Sequence, residues 1–225
     1  MSTGDVSDLA ILIVNFHTAE LISKIVEDLP DGVSFIVVDN DEPKTGHLEM
    51  VLSGKGNVTL LLSNANRGYG AGMNIALKEA LARGFKYVLL LNPDVKITTS
   101  QLQEIYDCKD VADIVGFRQF NLDEFGNRKF YTSGALVKKN WLAAPISTGA
   151  VGTQEADVVT GAVILCTLES LDRSGLFDES YFHYKEEFDL VYSAKKFGYR
   201  VALCNSISIQ HNSGTSLSHS SSTAL

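Results

Sequence analysis

The chain has 225 residues, of which 45% are hydrophobic and 20% charged, and its 27 acidic against 19 basic residues give a formal net charge of −8. This composition is that of one ordinary globular domain and excludes a wholly disordered chain. The acidic balance argues against a nucleic-acid-binding protein, which would show a basic face.

The N-terminus and the apolar stretches carry no targeting or membrane signal. Residues 1–8 are polar and acidic, unlike the basic and apolar start of a signal peptide. The densest apolar stretches, 9–14, 88–91 and 158–168, are shorter than the roughly 20 residues that cross a bilayer. The cysteines are far apart and lack metal-type spacing, which predicts reduced thiols in a cytoplasmic protein; they are Cys108, Cys166 and Cys204.

The first half of the chain alternates predicted strands and helices. Apolar runs predict strands over 9–15, 33–39, 58–62 and 86–91. Between them we predict a helix over 18–29, a short helix ending near Gly54, and a helix over 72–83 that Gly84 terminates. Strands that are apolar throughout and joined by helices predict an α/β fold with a mostly parallel sheet and helices on both faces.

The second half is less regular. Strands are predicted over 112–117, 158–168 and 199–204, with a hairpin within 120–137 whose turn spans 123–127. A short helix is expected over 168–174, and an amphipathic helix over 185–197, in which Phe188, Val191, Ala194 and Phe197 recur at helical spacing. The Ser-rich residues 217–225 predict a flexible tail.

Polar residues follow the four strands predicted in the first half. Asn15 closes the first strand, Asp39 the second, and Asn92 and Asp94 follow the fourth. Each one alone is explained by a turn or a helix cap. Ligands of parallel α/β sheets, however, bind beyond the carboxyl ends of the strands. The joint occurrence of these residues therefore predicts a ligand site at one sheet edge.

The segment 66–74 has three glycines at alternate positions, Gly68, Gly70 and Gly72. As a loop it would let backbone approach a ligand closely, leave the N–H groups of the next helix free for an anion, and add Arg67 as a phosphate-binding cation. A dinucleotide fingerprint is excluded, because Ile75 replaces its last glycine and the segment follows the third strand. Glycines that serve only a tight turn remain the alternative.

Two further groups carry candidate chemistry. Pro93 fixes the turn before Asp94, which is placed to ligate a hard divalent cation or simply to form a turn. The last predicted helix begins with three acids that complement its dipole and also give scope for a general base with a raised pKa. We expect Phe188 to point inward and leave these acids on a rim: Glu186, Glu187 and Asp189. His211 is a candidate metal or phosphate ligand, or a surface residue.

Seven motifs lie in order along residues 9–216. They are Ile11-Leu12-Ile13-Val14-Asn15-Phe16, Val37-Val38-Asp39-Asn40, Asn66-x-Gly68-x-Gly70-x-Gly72-x-Asn74, Leu91-Asn92-Pro93-Asp94, Gly175-x-Phe177-Asp178-Glu179, Glu186-Glu187-x-Asp189-Leu190 and His211-x-x-Gly214-x-Ser216. Together they resemble the inverting glycosyltransferases of family 2, specifically the bacterial rhamnosyltransferase-like branch with a GT-A fold.

The resemblance implies a role for each matching residue. Asp39 would read the base of a donor nucleotide beside Asn15 and His17, and Asp94 with His211 would hold Mg²⁺ or Mn²⁺ on the diphosphate. Glu187 would be the general base, with Glu186 as second choice and Asp189 on the acceptor side. The remaining nucleotide-binding positions are Asn66, Arg67, Gly68, Gly70, Asn74 and Asn92. Two departures stand out: Asn92 replaces an Asp of the stricter motif, and Ser193 an Arg.

The implied activity is transfer of a sugar from a dTDP- or UDP-sugar, dTDP-rhamnose included, to a hydroxyl of a glycan or lipid-linked acceptor with inversion. The resemblance implies one domain over 1–216, with a nucleotide-binding half (9–95) and an acceptor half (96–216), located in the cytoplasm or at the inner face of the membrane. The alternative is a non-catalytic nucleotide-sugar-binding domain of a larger glycan-assembly protein. A sugar-nucleotide pyrophosphorylase fits poorly, because residues 15–18 are not a Gly-rich basic loop.

Overall fold

The computed structural model describes residues 5–137 and 143–212. Six helices and thirteen strands are assigned within these ranges. In chain order they are β1 (Leu9–Asn15), α1 (Ala19–Asp28), β2 (Ser34–Asp39), α2 (His47–Val51), β3 (Val58–Leu62), α3 (Tyr69–Ala82), β4 (Tyr87–Leu91), β5 (Val95–Lys96), α4 (Thr99–Tyr106), β6 (Ile114–Leu122), β7 (Arg128–Tyr131), β8 (Gly134–Val137), β9 (Ala143–Pro145), β10 (Thr153–Glu155), β11 (Val158–Val159), β12 (Val163–Thr167), α5 (Leu168–Ser174), α6 (Glu186–Lys196) and β13 (Val201–His211). A short 3₁₀ helix, Asp107–Asp110, follows α4.

The central sheet has the strand order β10-β13-β6-β12-β4-β1-β2-β3, with β5 paired to β13 and β7 to β6. The four strands of the first half are parallel, so their carboxyl ends meet at one edge. The next strand, β12, runs antiparallel to both β4 and β6, and β13 is parallel to β6. Strands β11, β8 and β9 form a second, three-stranded sheet.

Apolar residues cover both faces of the central sheet, as predicted. Side chains alternate between faces along a strand, so Leu9, Ile11 and Ile13 of β1 join one buried cluster and Ala10 and Leu12 the other. The first cluster includes residues of α1, α2 and α4, and the second includes residues of α3, α5 and α6. The predicted α/β architecture with helices on both faces is confirmed.

Most predicted elements of the first half are present within a few residues, and β1, β3 and α5 match the prediction to the residue. Three predictions need correction, and two elements were missed. The helix predicted to begin at Gly72 begins at Tyr69. The run over 158–168 is two strands of different sheets, β11 and β12, because residues 160–162 turn between them. The last strand continues to His211 through a bulge between Cys204 and Ser208. Strand β5 and helix α4 were not predicted.

The cysteines are reduced in the structure. Cys166 and Cys204 are buried, Cys108 is half-buried, and all three are free thiols, as expected. Within the described ranges no helix is both long and apolar enough to span a bilayer. The predicted tail over 217–225, and Gly214 and Ser216 of the last motif, lie outside the described residues.

Candidate active site

Two predicted base-reading residues face each other at the ends of β1 and β2. Asn15 and Asp39 are register partners, and the Asn15 amide donates to Asp39 Oδ1 at 2.9 Å. Asn15 Oδ1 accepts from the backbone and hydroxyl of Thr18, which fixes the start of α1. Both residues are buried. The sheet thus holds the Asp39 carboxylate rigidly at its edge.

The segment after β2 folds back over the segment after β1. Asp41 Oδ1 accepts the backbone N–H of His17 at 2.6 Å and lies 3.3 Å from its Nδ1. His17 has a φ of 56°, in the left-handed region that few non-glycine residues adopt. Lys44 Nζ donates to the Asp39 carbonyl at 2.6 Å. These contacts hold the half-exposed His17 ring against Asp41, whose own backbone N–H donates to Asp39 Oδ1.

The predicted glycine loop is mostly helix, so its interpretation changes. Because α3 begins at Tyr69, Gly70 and Gly72 lie in its first turn. A Cβ at Gly72 would lie 2.9 Å from a Val14 methyl group, and one at Gly70 would lie 3.1 Å from Phe177. These two glycines therefore let α3 pack closely on β1 and on the segment after α5. Close approach of their backbone to a ligand stays a prediction.

The N-terminus of α3 is also covered by protein. The Tyr69 N–H donates to the Phe182 carbonyl at 3.2 Å. Gly68, with a φ of 95°, passes so close to that carbonyl that a Cβ would lie 2.0 Å from its oxygen. The prediction that this helix offers its first N–H groups to an anion is therefore wrong for Tyr69.

Asn66, Asn74 and Arg67 all have protein partners. Asn66 Oδ1 accepts from Asn40 at 2.9 Å and from the Gly68 amide at 3.0 Å. Asn74 is buried, donates to the Phe177 carbonyl and Glu179, and accepts from the Phe177 amide. Both hydrogens of its amide are thus used to join α3 to the segment after α5, and its role in nucleotide binding stays a prediction. Arg67 pairs with Glu179 at 3.0 Å on the surface.

The turn after β4 brings Asp94 to His211. The Asn92 backbone N–H donates to Ala162, and Val95 closes a turn onto the Asn92 carbonyl, which leaves the Asp94 side chain buried. His211 Nε2, at the end of β13, lies 3.2 Å from Asp94 Oδ1. Even so, Oδ1 has no hydrogen-bond partner among the described residues. The two predicted metal ligands are together, and their nearest atoms approach without a shared hydrogen bond.

This pair fits a divalent cation. A buried carboxylate oxygen without a hydrogen bond is costly unless something else satisfies it, and oxygen and imidazole nitrogen are both ligands of Mn²⁺-like cations. Within the described ranges, no group of three or more His, Cys, Asp or Glu side chains could hold a metal. Asp94 and His211 would therefore supply two ligands, leaving the others to phosphate oxygens and water.

The two acids at the start of α6 differ in exposure. Glu186 is buried, with Oε2 unpartnered among the described residues, whereas Glu187 is partly exposed. Burial raises the pKa of both carboxyls, and the Glu186 charge raises that of Glu187 further, while the Gly161 N–H and His183 oppose the shift. A Cβ on Gly161 would lie 2.8 Å from Glu187 Cγ. Glu187 is thus held against the turn between β11 and β12.

The predicted orientation of α6 was partly wrong. Its buried residues are Glu186, Leu190, Val191 and Ala194. Phe188 is only partly buried and Phe197 is exposed, so the inward stripe is rotated from the predicted one. Glu186 consequently faces the interior rather than the rim, while Glu187 and Asp189 remain accessible.

Tyr69, which sequence reasoning missed, is affected by the charges of Asp94 and of the α6 acids. We call Asp94 and His211 the metal-type pair. Its ring packs edge-on against Phe177, with centroids 5.9 Å apart. Its hydroxyl oxygen is buried without a hydrogen-bond partner in the described chain. Burial raises the pKa of Tyr69, and the charges of Glu186, Glu187 and Asp94 raise it further. The Tyr69 hydroxyl therefore lies within electrostatic reach of all three carboxylates.

A surface cavity lies elsewhere, between α2 and the edge strand β3. It measures about 370 Å³ and is lined by Glu49, Leu52, Ser53, Val58, Leu60 and Leu62. None of these residues lies at the carboxyl end of β4 or at the start of α6, where the predicted metal ligands and acids are found. The candidate site is therefore defined by its polar side chains rather than by this cavity.

No family model matches the chain. Over 209 residues it is 25% identical to a Haloferax volcanii protein named low-salt glycan biosynthesis hexosyltransferase Agl10, covering 91% of this chain and 67% of that protein.

Solved structures share the fold at low sequence identity. GalNAc-T7 with UDP, GalNAc and Mn²⁺ has a TM-score of 0.67 and 12% identity over 90% of this chain. The Pyrobaculum calidifontis mannosyltransferase PcManGT with GDP-Man and Mn²⁺ has a TM-score of 0.63 and 16% identity over 91% of this chain. S. aureus TarS with UDP-GlcNAc has a TM-score of 0.62 and 16% identity over 96% of this chain. The chain spans 43%, 56% and 61% of these three chains. At such identities the likeness confirms the predicted GT-A fold and no more.

Proposed function

We propose that this chain is the donor-binding and catalytic domain of a glycosyltransferase that uses a nucleoside-diphosphate sugar. One observation carries the proposal: Glu187 contacts Gly161, and the next residue of that turn accepts the backbone N–H of Asn92, so the proposed base lies close to the turn that carries the Asp94–His211 pair. A site that holds a diphosphate beside a basic carboxylate is what sugar transfer from such a donor requires. The similarity to a protein named as a hexosyltransferase supports the same class of reaction.

The donor nucleotide would lie along the ends of β1, β2 and β4. Asp39 is buried and held by Asn15, so its carboxylate is pre-organised to accept a hydrogen bond from the imide N–H of a uracil or thymine ring. His17 is held by Asp41, two residues further along the chain than Asp39. Asp94 and His211 would hold Mg²⁺ or Mn²⁺, which when bound neutralises charge on the departing diphosphate. Two of the structural neighbours contain Mn²⁺.

Glu187 would take the proton of the acceptor hydroxyl. Its partial exposure lets an acceptor reach it, and its raised pKa brings it closer to the pH at which a general base works best. Attack by that hydroxyl on the sugar C1, opposite the leaving diphosphate, inverts the anomeric centre. Asp189, on the exposed side of the same helix, would face the acceptor.

The finer assignments belong to the same proposal. They are membership of family 2, an inverting reaction, a dTDP- or UDP-sugar donor with dTDP-rhamnose among the candidates, and a glycan or lipid-linked acceptor used at the cytoplasmic face of a membrane. Structural neighbours hold UDP, GDP-Man and UDP-GlcNAc. A donor panel should therefore include guanosine as well as uridine and thymidine diphosphates.

Thermal unfolding with dTDP-rhamnose, UDP-GlcNAc and GDP-mannose, each with and without Mn²⁺, tests donor binding. A donor at 100 times its Kd stabilises the folded state by about 2.7 kcal/mol. We expect one donor class to do so, with a Mn²⁺-dependent part that Asp94→Asn removes and the surface control Asp28→Asn retains. Release of nucleoside diphosphate then separates a transferase from a non-catalytic binding domain. No stabilisation by any of the three donors would contradict the proposal.

A further inference from the structure

The ring of His211 is contacted on both sides, by Tyr131 and Gln119 on one and by Asp94 on the other. On one side Nδ1 lies 2.7 Å from the Tyr131 hydroxyl and 3.2 Å from Gln119 Oε1. On the other side Nε2 faces Asp94 Oδ1 at 3.2 Å. Strand pairing produces this arrangement, because β6 lies between β7 and β13 and Gln119 is the register partner of Tyr131. The tautomer of His211 follows from which of these atoms can accept a hydrogen.

Gln119 presents its oxygen, not its nitrogen, to His211. The residue is buried, and its Nε2 lies 2.7 Å from Thr160 Oγ1 and 3.5 Å from the Thr160 carbonyl. A carbonyl oxygen only accepts, and Thr160 Oγ1 itself donates to the Ser133 carbonyl. These contacts favour the orientation in which the amide nitrogen points at Thr160. Oε1, which only accepts, is left facing the imidazole.

The Tyr131 hydroxyl is a second acceptor for a hydrogen on His211 Nδ1. Its hydroxyl lies 3.4 Å from the His211 carbonyl and 2.7 Å from Nδ1, so it can donate to the carbonyl and accept from Nδ1. Two acceptors thus converge on one ring nitrogen. That nitrogen has to carry the hydrogen, and in the neutral ring Nε2 then carries only a lone pair.

The opposite side of the ring is consistent with this tautomer. An Nε2–H would be expected to donate a charge-assisted hydrogen bond to Asp94, which is among the stronger hydrogen bonds in proteins. Asp94 Oδ1 instead has no hydrogen-bond partner among the described residues despite the short distance. Two electron-pair donors therefore face each other in a buried setting. A positive charge between them makes this favourable: either a proton on Nε2, which makes the ring an imidazolium paired with Asp94, or a bound cation.

We propose that Gln119 and Tyr131 are positioning residues that hold His211 in the Nδ1–H tautomer and so keep Nε2 and Asp94 Oδ1 together as ligands for one divalent cation. The cation is the one required by the proposed function, on which this half of the inference rests. The tautomer does not depend on that function. Without the two acceptors, Nε2–H would donate to Asp94 and compete directly with the metal.

Long-range ¹H–¹⁵N correlation of the histidine rings tests the tautomer without metal. Spectra are recorded at about pH 8, above the ordinary histidine pKa, and the His211 signals are assigned by their loss in His211→Asn. We expect a protonated Nδ1 in the wild type and a shift toward protonated Nε2 in Gln119→Leu. Tyr131→Phe, at a half-buried site, provides the same test if Gln119→Leu does not fold. Gln119→Glu retains an acceptor and should retain the tautomer.

Titration with Mn²⁺ alone, followed by electron paramagnetic resonance, tests whether Gln119 and Tyr131 strengthen metal binding. Loss of an orienting partner of a metal-bound histidine typically weakens metal binding by about 10–100-fold. We expect a loss of that size in Gln119→Leu, a smaller one in Tyr131→Phe, and none in Tyr106→Phe, which removes a tyrosine hydroxyl bonded to Asp8 instead.

The outcomes separate the two proposals. A protonated Nε2 in the wild type, or variants that leave both the tautomer and the Mn²⁺ affinity unchanged, would overturn the inference. If the tautomer is as expected but the wild type binds no Mn²⁺, the role of the pair in metal binding is wrong, along with the metal dependence of the proposed function. If Mn²⁺ binds and no donor does, the positioning role stands and the proposed function fails.

Discussion

Glu187 differs from the other two acids of α6 because it is partly exposed and also has a raised pKa. Glu186 has a raised pKa but is buried. Asp189 is partly exposed, but no hydrogen bond or ion pair of the described residues joins it to the turn between β11 and β12. Glu187 touches Gly161 in that turn, and Gly161 is followed by the residue that accepts from the Asn92 amide. Its position is therefore tied to the metal-type pair through the backbone.

Replacing Glu187 by Gln should remove catalysis and leave donor binding intact. The amide keeps the size of the side chain but cannot take a proton from an acceptor hydroxyl. Loss of a general base lowers rates by about 10²–10⁴-fold. We expect kcat to fall by that factor while the donor Kd, measured by calorimetry, changes little.

Glu169→Gln is the matched control. Glu169 is an exposed acid on α5 that pairs with Arg173, so its loss should leave kcat unchanged within about twofold, since surface substitutions have small effects. A Glu187→Gln variant that turns over as fast as Glu169→Gln would rule out Glu187 as the base. Activity lost together with donor binding would instead indicate a role in holding the donor.

At the scale of elements, glycines determine how closely the layers pack. Gly116 of β6 lies directly under Val159 of β11, and a Cβ there would be 2.5 Å from Val159 Cβ. This contact lets the small sheet lie against the central one. It also positions residues 160–161, which contact Gln119 and Glu187.

Gly116→Ala should therefore destabilise the protein. The clash involves the branch point of a buried valine, which rotation about χ1 does not relieve, and overpacking of this kind costs about 1–3 kcal/mol. Chemical denaturation should show this loss, whereas Gly32→Ala, at a site with no atom within 4 Å of the added Cβ, should change stability by less than about 0.5 kcal/mol. Equal stability of the two variants would contradict the packing argument.

The parallel half was predictable because its signals are local. Continuous apolar runs and the polar residues after them gave β1 to β4 within one or two residues. Helix α4 had a readable signal that was missed: Thr98 and Gln101 form a capping box in which each side chain accepts the other's backbone N–H. The start of α3 was misplaced because glycines were taken as loop residues, while here their small size serves helix packing.

The candidate site was predictable only in part, for a physical reason. Asp94 and His211 are far apart in sequence, and the resemblance to a family supplied their pairing. Gln119 and Tyr131 carry no local pattern, since their role arises from the pairing of β6 with β7 and β13. Tyr69 likewise becomes important only once α3 and α6 are placed beside each other. Long-range register is what sequence periodicity does not contain.

At the scale of the whole molecule, the candidate site works against stability. The protein carries a net charge of −8, and several carboxylates of the site are buried. Buried charges without full hydrogen bonding destabilise a fold, and such features persist where function requires them. Glu186, with an unpartnered oxygen and a pKa raised by burial, is the clearest example.

Glu186→Gln should therefore stabilise the folded protein near neutral pH. Burial raises the pKa of Glu186 from its ordinary 4.5, so the folded state binds the proton more tightly than the unfolded state. Between the ordinary and the raised value, the free energy of unfolding then falls as pH rises. The neutral amide removes this loss, with a gain on the order of 1 kcal/mol, the size expected for one unsatisfied buried group.

Urea denaturation of the two proteins from about pH 4 to pH 8 measures the effect. The stability difference should be small below the ordinary pKa of about 4.5, where both side chains are neutral, and should grow as pH rises through the raised pKa. Asp28→Asn, at an exposed residue of α1, should show no such trend. A wild type that is more stable than Glu186→Gln at pH 8 would mean that the Glu186 carboxylate has a stabilising partner in the folded chain, and the candidate site would then have to be redrawn around that partner.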